Sequence, residues 1–154
     1  MTCINNDGNC GAYDASAIAS YIIYRCARTG RPLCNIKLQI ILYYAQAEFL
    51  VSTGRACFHD DITAGAMCPV VPEVYRRYCI YGGANIPSAG IAARDMRIGD
   101  EDMEVLNRII DRTAVYSVLT LMEITRRQAP WKNARASSNR VISPYELEKY
   151  FSEN

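Results

Sequence analysis

The strongest pattern of hydrophobic and polar positions runs from residue 36 to residue 53 and ends at Gly54. On a helical wheel, the apolar residues fill two opposite arcs, one around Leu42 and one around Ile40. Two narrow polar seams separate these arcs, one with Lys37, Tyr44 and Glu48 and the other with Gln39, Gln46 and Thr53. Because a helix that is apolar nearly all round belongs inside a protein, the pattern predicts a central helix packed on both faces. We expect Lys37, Gln39 and Gln46 to form hydrogen bonds along its seams.

Helical spacing and helix signals predict five further helices, over residues 15–29, 70–81, 100–113, 115–127 and 143–151. Asp14 is the expected cap of the first, and Gly30 followed by Pro32 ends it. The last helix starts with Ser143 as N-cap, Pro144 in the first turn and Glu146 closing a capping box.

The segments between these helices are polar or rich in turn residues. Residues 55–66 suit a turn and a short hairpin, residues 82–98 a long loop, and residues 129–141 a basic connection. The predicted fold is mainly α: a compact bundle of five to six helices around the central helix, with a small β-hairpin or extended segment. Residues 1–12 are the expected N-terminal extension, and residues 13–154 a single helical domain.

Composition and charge exclude several classes of protein. Half of the 154 residues are hydrophobic and the formal net charge is +1, so no global field attracts nucleic acid or an anionic membrane. The first twelve residues do not have the pattern of a signal peptide, and no apolar run reaches the ~18 residues of a membrane span. We therefore expect a cytoplasmic protein with most of its seven cysteines reduced and buried.

An ordered set of short motifs covers the chain from about Tyr13 to Phe151. In chain order the motifs are IKLQIILYYAQA at 36–47, Gly54-Arg55, Phe58, DITA at 61–64, PVVPEVY at 69–75, Thr125, PWKNA at 130–134 and Ile142-Ser143. Together they resemble the Panacea domain family, which contains SocA-like antitoxins and GepA-like phage-associated proteins. The chain departs from the family pattern at Gly65, Cys68 and Arg126, where the family usually has Trp, Gly and His.

The resemblance implies a non-catalytic protein that neutralises a protein toxin, by direct binding or by delivering the toxin to a protease. One alternative is a phage-encoded, anti-CRISPR-like inhibitor of a host defence protein on the same scaffold. A second is a nucleic-acid-binding module, because basic residues surround Trp131. Nucleic acid is not the expected partner, since acids elsewhere cancel the charge and no recognition helix is evident.

Candidate catalytic and metal sites have simpler explanations. Cys57 and His59 could act as a nucleophile and its base only if folding brought them together with a third, orienting group. A zinc set of Cys57, His59, Cys68 and Cys79 lacks the close cysteine pair of a zinc knuckle. We expect no catalytic residue, no metal and no cofactor.

The sequence does predict residues for partner binding. Tyrosine and arginine are the side chains that most often anchor protein interfaces. The expected partner-binding residues are Lys37, Tyr44, Tyr75, Tyr78, Arg126, Arg127, Trp131 and Lys132. The residues expected to maintain the fold are Gln39, Leu42, Gln46, Pro69, Val70 and Pro130. The tyrosine-rich helix faces also suit a homodimer.

Overall fold

The computed structural model describes residues 12–91 and 97–154. Within them lie seven α-helices, a short 3-10 turn at Cys79–Tyr81 and a three-stranded sheet. In chain order the elements are α1 Ala15–Arg28, α2 Asn35–Thr53, β1 Ile62–Ala64, β2 Pro69–Val70, α3 Pro72–Tyr78, α4 Asp100–Ala114, α5 Val118–Arg126, α6 Ala129–Ala136, β3 Val141–Ile142 and α7 Pro144–Glu153. The predicted mainly helical fold is confirmed. The N-terminal extension predicted for residues 1–12 lies, apart from Ala12, outside the described residues, as do residues 92–96 of the predicted loop.

Helix α2 is the centre of the molecule, as its apolar circumference predicts. It packs against α1, α3, α4, α5, α7 and β2, and among its residues only Val51 and Ser52 near the C-terminal end are exposed. Leu42, Tyr43 and Phe49 are completely buried. The helix ends at Gly54, whose positive φ of 74° is the left-handed conformation that glycine adopts most readily.

Two buried glutamines connect α2 to the segments that follow it. The Gln46 side-chain carbonyl accepts hydrogen bonds from the backbone N–H groups of Cys57 (2.7 Å) and Phe58 (3.2 Å), and its amide donates to the Phe58 carbonyl (3.0 Å). Gln39 accepts from the Val71 N–H at 2.8 Å. Both side chains therefore satisfy backbone groups that have no helix or sheet partner of their own.

The other polar seam of α2 connects to α4 and α5. The Lys37 ammonium group donates to the Ala114 carbonyl at 2.7 Å, at the C-terminus of α4. Burial lowers the pKa of Lys37 from its ordinary value. Tyr44 shares a 3.0 Å hydrogen bond with the Thr125 hydroxyl on α5. These contacts fix the positions of α4 and α5 relative to the central helix.

The sheet contains a hairpin and one strand that was not predicted. The hairpin was predicted within residues 55–66, whereas the structure forms it from residues 62–64 and 69–70. Its order is β2-β1-β3, antiparallel throughout, with Thr63 opposite Val70 and Ile62 opposite Ile142. The connection predicted for residues 129–141 is wrong, because this segment contains α6 and the first residue of β3. A helix of eight residues and a strand of two are too short to show a clear periodicity.

Helix boundaries follow local capping. Helix α3 begins at Pro72 and not at the predicted residue 70, because Val70 pairs in β2. Helix α5 begins at Val118, since Ser117 accepts a hydrogen bond from the Thr120 N–H. The predicted Ser143 cap of α7 is confirmed by a 3.1 Å bond from the Glu146 N–H. Asp14 makes no side-chain cap bond to α1 and instead contacts His59.

The five cysteines of the described segments are free thiols, and three of them lie in the core. Burial raises the pKa of Cys26 to about 11, that of Cys68 to about 12 and that of Cys57 well above its ordinary value. Cys79 is exposed. Across the described residues, no helix has both the length and the apolar character needed to cross a membrane.

We predict that Gln46→Leu lowers the free energy of unfolding by about 3 kcal/mol, because it leaves buried backbone groups of Cys57 and Phe58 unpaired. Urea unfolding followed by circular dichroism measures the loss. Ser52→Ala, an exposed position of the same helix, is the control and changes stability by about 0.5 kcal/mol or less. A Gln46→Leu protein as stable as the wild type contradicts the role of Gln46.

We also predict that iodoacetamide at pH 8 alkylates Cys79 in the folded protein but spares Cys26, Cys57 and Cys68. The thiolate is the reactive form, and burial both raises the pKa of these thiols and blocks the reagent. Peptide mapping by mass spectrometry measures the modification, and the same treatment in urea modifies all four. Alkylation of Cys57 in the native protein as fast as Cys79 would show that the core is open.

Candidate protein-binding surface

Three of the expected partner-binding residues have side chains engaged inside the fold. Tyr78 is only 7% exposed and packs in the core. Lys37 and Tyr44 are half-buried and make the hydrogen bonds to Ala114 and Thr125 described above. The Tyr44 hydroxyl also accepts from the Gln128 amide at 3.2 Å. These contacts link α2 to α4 and α5.

Tyr75, Arg126 and Trp131 come together around the turn between β1 and β2. Tyr75 lines a shallow cavity of about 310 Å³, which we call the turn pocket. The other residues of its lining are Ile36, Gly65, Ala66, Met67, Cys68 and Val70. Its lining is almost entirely apolar. Met67, at the tip of the turn, is 53% exposed. An exposed apolar side chain beside an apolar cavity is typical of an interaction surface.

Trp131 and Arg135 of α6 hold this turn in place. The Trp131 indole N–H donates to the Gly65 carbonyl and the Arg135 guanidinium donates to the Ala64 carbonyl, both at 3.1 Å. The Arg135 guanidinium also lies 5.9 Å from the centre of the Trp131 ring, within the range of a cation–π contact. Both side chains therefore fix the shape of the turn pocket.

The departures from the family pattern at Gly65 and Cys68 fall in this turn. A Cβ atom added to Gly65 would lie 2.8 Å from the Cys68 carbonyl oxygen, closer than real Cβ contacts allow. The third departure, Arg126, is close enough to Cys68 for its positive charge to oppose the effect of burial on the Cys68 pKa. The turn is thus closed tightly by a residue without a side chain.

A larger concavity lies on the other side of α5 and was not predicted. It has a volume of about 370 Å³ between α2, α4, α5 and α7, and we call it the α5 groove. Its apolar lining includes Val51, Leu121, Ile124 and Phe151, and its polar lining includes Tyr44, Glu48, Arg112 and Tyr116. Tyr116 and Ile124 are 47% and 40% exposed. The groove thus combines open apolar surface with an arginine and two tyrosines.

Helix α5 forms a ridge between the two concavities. Leu121 lines the α5 groove and also packs with Cys68, which lines the turn pocket. Leu119 is 73% exposed. We call the groove, the ridge and the pocket together the α5 face. Ridges beside apolar concavities give large, shape-specific contact areas with another protein.

The sequence did contain a signal for this surface. The predicted helix over residues 115–127 has more apolar residues than one buried stripe requires, and the surplus includes Val115, Leu119 and Ile124. All three are exposed in the structure. Surplus apolar positions on a short helix indicate a second contact face. The contribution of α2, α4 and α7 to the groove depends on tertiary packing that periodicity does not encode.

The candidate catalytic and metal residues are not arranged for those roles. Cys57 is completely buried with a raised pKa, and the His59 side chain is about half exposed. Among the described residues, one group of possible metal ligands lies close together, Asp14, His59 and Asp60, and not the cysteine set considered above. The His59 Nε2 atom lies 2.5 Å from the Asp14 carboxylate and its Nδ1 atom 3.6 Å from Asp60. Contacts of the imidazole with both carboxylates account for the cluster.

Comparison with known proteins gives the family. Residues 38–132, from α2 into α6, match the model of the antitoxin SocA-like, Panacea domain family. Antitoxin SocA of Caulobacter vibrioides (strain NA1000 / CB15N) is 36% identical over 69 residues. That stretch is 45% of this chain and 37% of the SocA length. No solved structure matches the chain.

The family match includes the turn, Tyr75, the Arg112–Tyr116 segment and all of α5, and therefore most of the α5 face. The predicted motifs at 61–64 and 69–75 fall inside the same range, and so do residues 38–47 of the motif at 36–47. The match covers more than half of the chain. The chain therefore belongs to the antitoxin SocA-like, Panacea domain family.

Proposed function

We propose that this protein is an antitoxin that neutralises a protein toxin by direct, non-catalytic binding, with the α5 face as its contact surface. The observation that carries the proposal is the combination of exposed Leu119 and Ile124 on α5 with a groove of mixed polar and apolar lining and an almost entirely apolar turn pocket. Monomeric soluble proteins rarely expose contiguous apolar patches larger than a few hundred Å² unless the patch binds a partner. The family supplies the class of partner, and SocA is named as an antitoxin.

The chemistry of the face suits a protein partner better than a small molecule. Both cavities are open and shallow, whereas small-molecule sites bury most of their ligand. Exposed Tyr75 and Tyr116 offer rigid area with a polar tip, and Arg112 and Arg126 offer hydrogen-bond donors. Tyrosine and arginine carry much of the binding energy in protein interfaces. The proposed place of binding is the cytoplasm.

The alternatives considered from the sequence have less support. An inhibitor of a host defence protein could use the same surface, but no feature of this chain names such a target. Tyr78 cannot contribute to a homodimer through the tyrosine-bearing helices, because its side chain is buried. Antitoxin activity is the function that the family and the surface support together.

Co-expression tests the function. Each gene adjacent to the one for this chain is induced in a bacterial host, and growth is followed with and without the chain. We expect one product to arrest growth, the chain to restore it, and the two purified proteins to form a stoichiometric complex with no third component. Rescue without a complex between the purified proteins contradicts direct binding and indicates delivery to a protease. Absence of rescue for every growth-arresting neighbour contradicts the antitoxin function.

We predict that Tyr116→Ala and Ile124→Ala each weaken binding of that toxin by about 1–2 kcal/mol, roughly tenfold or more in Kd, because both remove contact area from the α5 groove. Isothermal titration calorimetry measures Kd. Thermal stability stays near that of the wild type because both side chains are exposed.

Ile80→Ala is the matched control for these variants. Ile80 is 83% exposed, apolar and absent from the lining of both concavities. We expect wild-type affinity from this variant. The α5 face is the wrong surface if Ile80→Ala weakens the complex while Tyr116→Ala and Ile124→Ala leave it intact.

A further inference from the structure

The near-neutral net charge of this chain conceals a strong segregation of charge along it. Between residues 112 and 140 stand six of the seventeen lysines and arginines but only one of the sixteen acidic residues, Glu123. The rest of the chain therefore carries a net negative charge. This basic segment contains α5 and α6, and so contains the ridge of the α5 face and the helix that supports the turn pocket.

Within the described residues, four cations of this segment form no ion pair with an acidic side chain. The ion pairs of the described residues involve Arg25, Arg55, His59, Arg76 and Arg108. Among those described residues, no ion pair involves Arg112, Arg126, Arg127 or Lys132. A guanidinium without an internal partner keeps its full charge for an incoming group.

Two of these cations are placed beside the concavities, and the other two follow them along the chain. Arg112 lines the α5 groove. Arg126 is near Cys68, which lines the turn pocket. Arg127 is the C-cap of α5, next to Arg126, and Lys132 follows Trp131 on α6. An apolar centre with a charged rim is the usual arrangement of a specific protein interface.

We infer that the α5 face binds an acidic surface of the toxin, whose carboxylates pair with Arg112, Arg126 and Arg127 while an apolar side chain enters the α5 groove. This inference rests on the antitoxin function proposed above. Opposite charges across the interface steer the two proteins together and raise the association rate at low salt. A toxin with a basic or neutral contact surface would leave these cations unpaired in the complex, at a cost in affinity.

A nucleic acid is also a polyanion and could bind isolated cations. The apolar residues among them favour a protein instead. Leu119, Tyr116 and Ile124 are exposed beside the arginines, and a phosphate backbone would have to cover them without apolar contacts in return. Nucleic-acid binding is therefore included in the experiment as an outcome that overturns the inference.

The experiment uses the full chain and the growth-arresting protein recovered by co-expression. Two variants reverse charge on the face, Arg126→Glu alone and Arg127→Glu with Lys132→Glu. Residues 127 and 132 are exposed, so the double variant tests the idea even if Arg126→Glu alters folding. Arg28→Glu together with Arg31→Glu is the control for the double variant, because both side chains are exposed and line neither concavity. Circular dichroism confirms the fold of each variant.

Association rates are measured by stopped flow or surface plasmon resonance from low to high salt. For the wild type and the control, we expect the rate to fall as salt rises. For the two face variants at low salt, we expect a rate about tenfold or more below the wild type and a flatter salt dependence. A carboxylate-to-lysine change on the toxin that restores the rate of Arg126→Glu would identify the acidic contact directly.

Different results separate this inference from the function on which it rests. If the wild-type chain does not bind the toxin, the antitoxin function fails and the inference fails with it. If the toxin binds but the face variants behave like the control, the antitoxin function stands and the acidic contact is wrong. A third outcome has three parts: a single-stranded or duplex oligonucleotide binds the wild-type chain, binds the face variants more weakly, and does not compete with the toxin. In that case the basic segment is a nucleic-acid site and the inference is overturned.

Discussion

The burial of most of α2 is the constraint on which the rest of the structure depends. Polar side chains on the buried part of this helix are removed from water, so each must find a partner within the protein. Gln46 and Gln39 bond the backbone of the segments that follow α2, and Lys37 and Tyr44 bond α4 and α5. The packing of α2 therefore also determines where the neighbouring elements lie.

That arrangement explains why α5 faces outward with apolar side chains exposed. Its inner side is fixed to α2 through Thr125 and through the packing of Leu121 and Met122. On its outer side, no described residue covers Leu119 or Ile124. A rigid support with an uncovered apolar ridge loses little conformational entropy when a partner binds, which is the condition for tight association. The packing of the core thus leaves α5 available as the contact surface of the proposed function.

The fold was largely predictable because its main signal is local. The two-sided pattern around Leu42 identified the central helix, and the Ser143 capping box located the last one. Helix α6 and strand β3 were missed because eight and two residues carry too little periodicity. Sequence reasoning selected Tyr75, Arg126 and Trp131, which meet around one turn, but also Tyr78, which is buried. The α5 groove was not predictable in full, since four helices distant in sequence form it.

Hydrogen exchange in the free and toxin-bound protein tests the central claim most directly, namely that a fixed α2 core presents α5 to the partner. The account predicts that α2 amides exchange slowest in the free protein and do not change in the complex. It also predicts that exchange slows in the complex across Val118–Arg126 and the turn at residues 65–68. Rapid exchange in free α2, or protection confined to α1 and α3 with α5 unchanged, would contradict it.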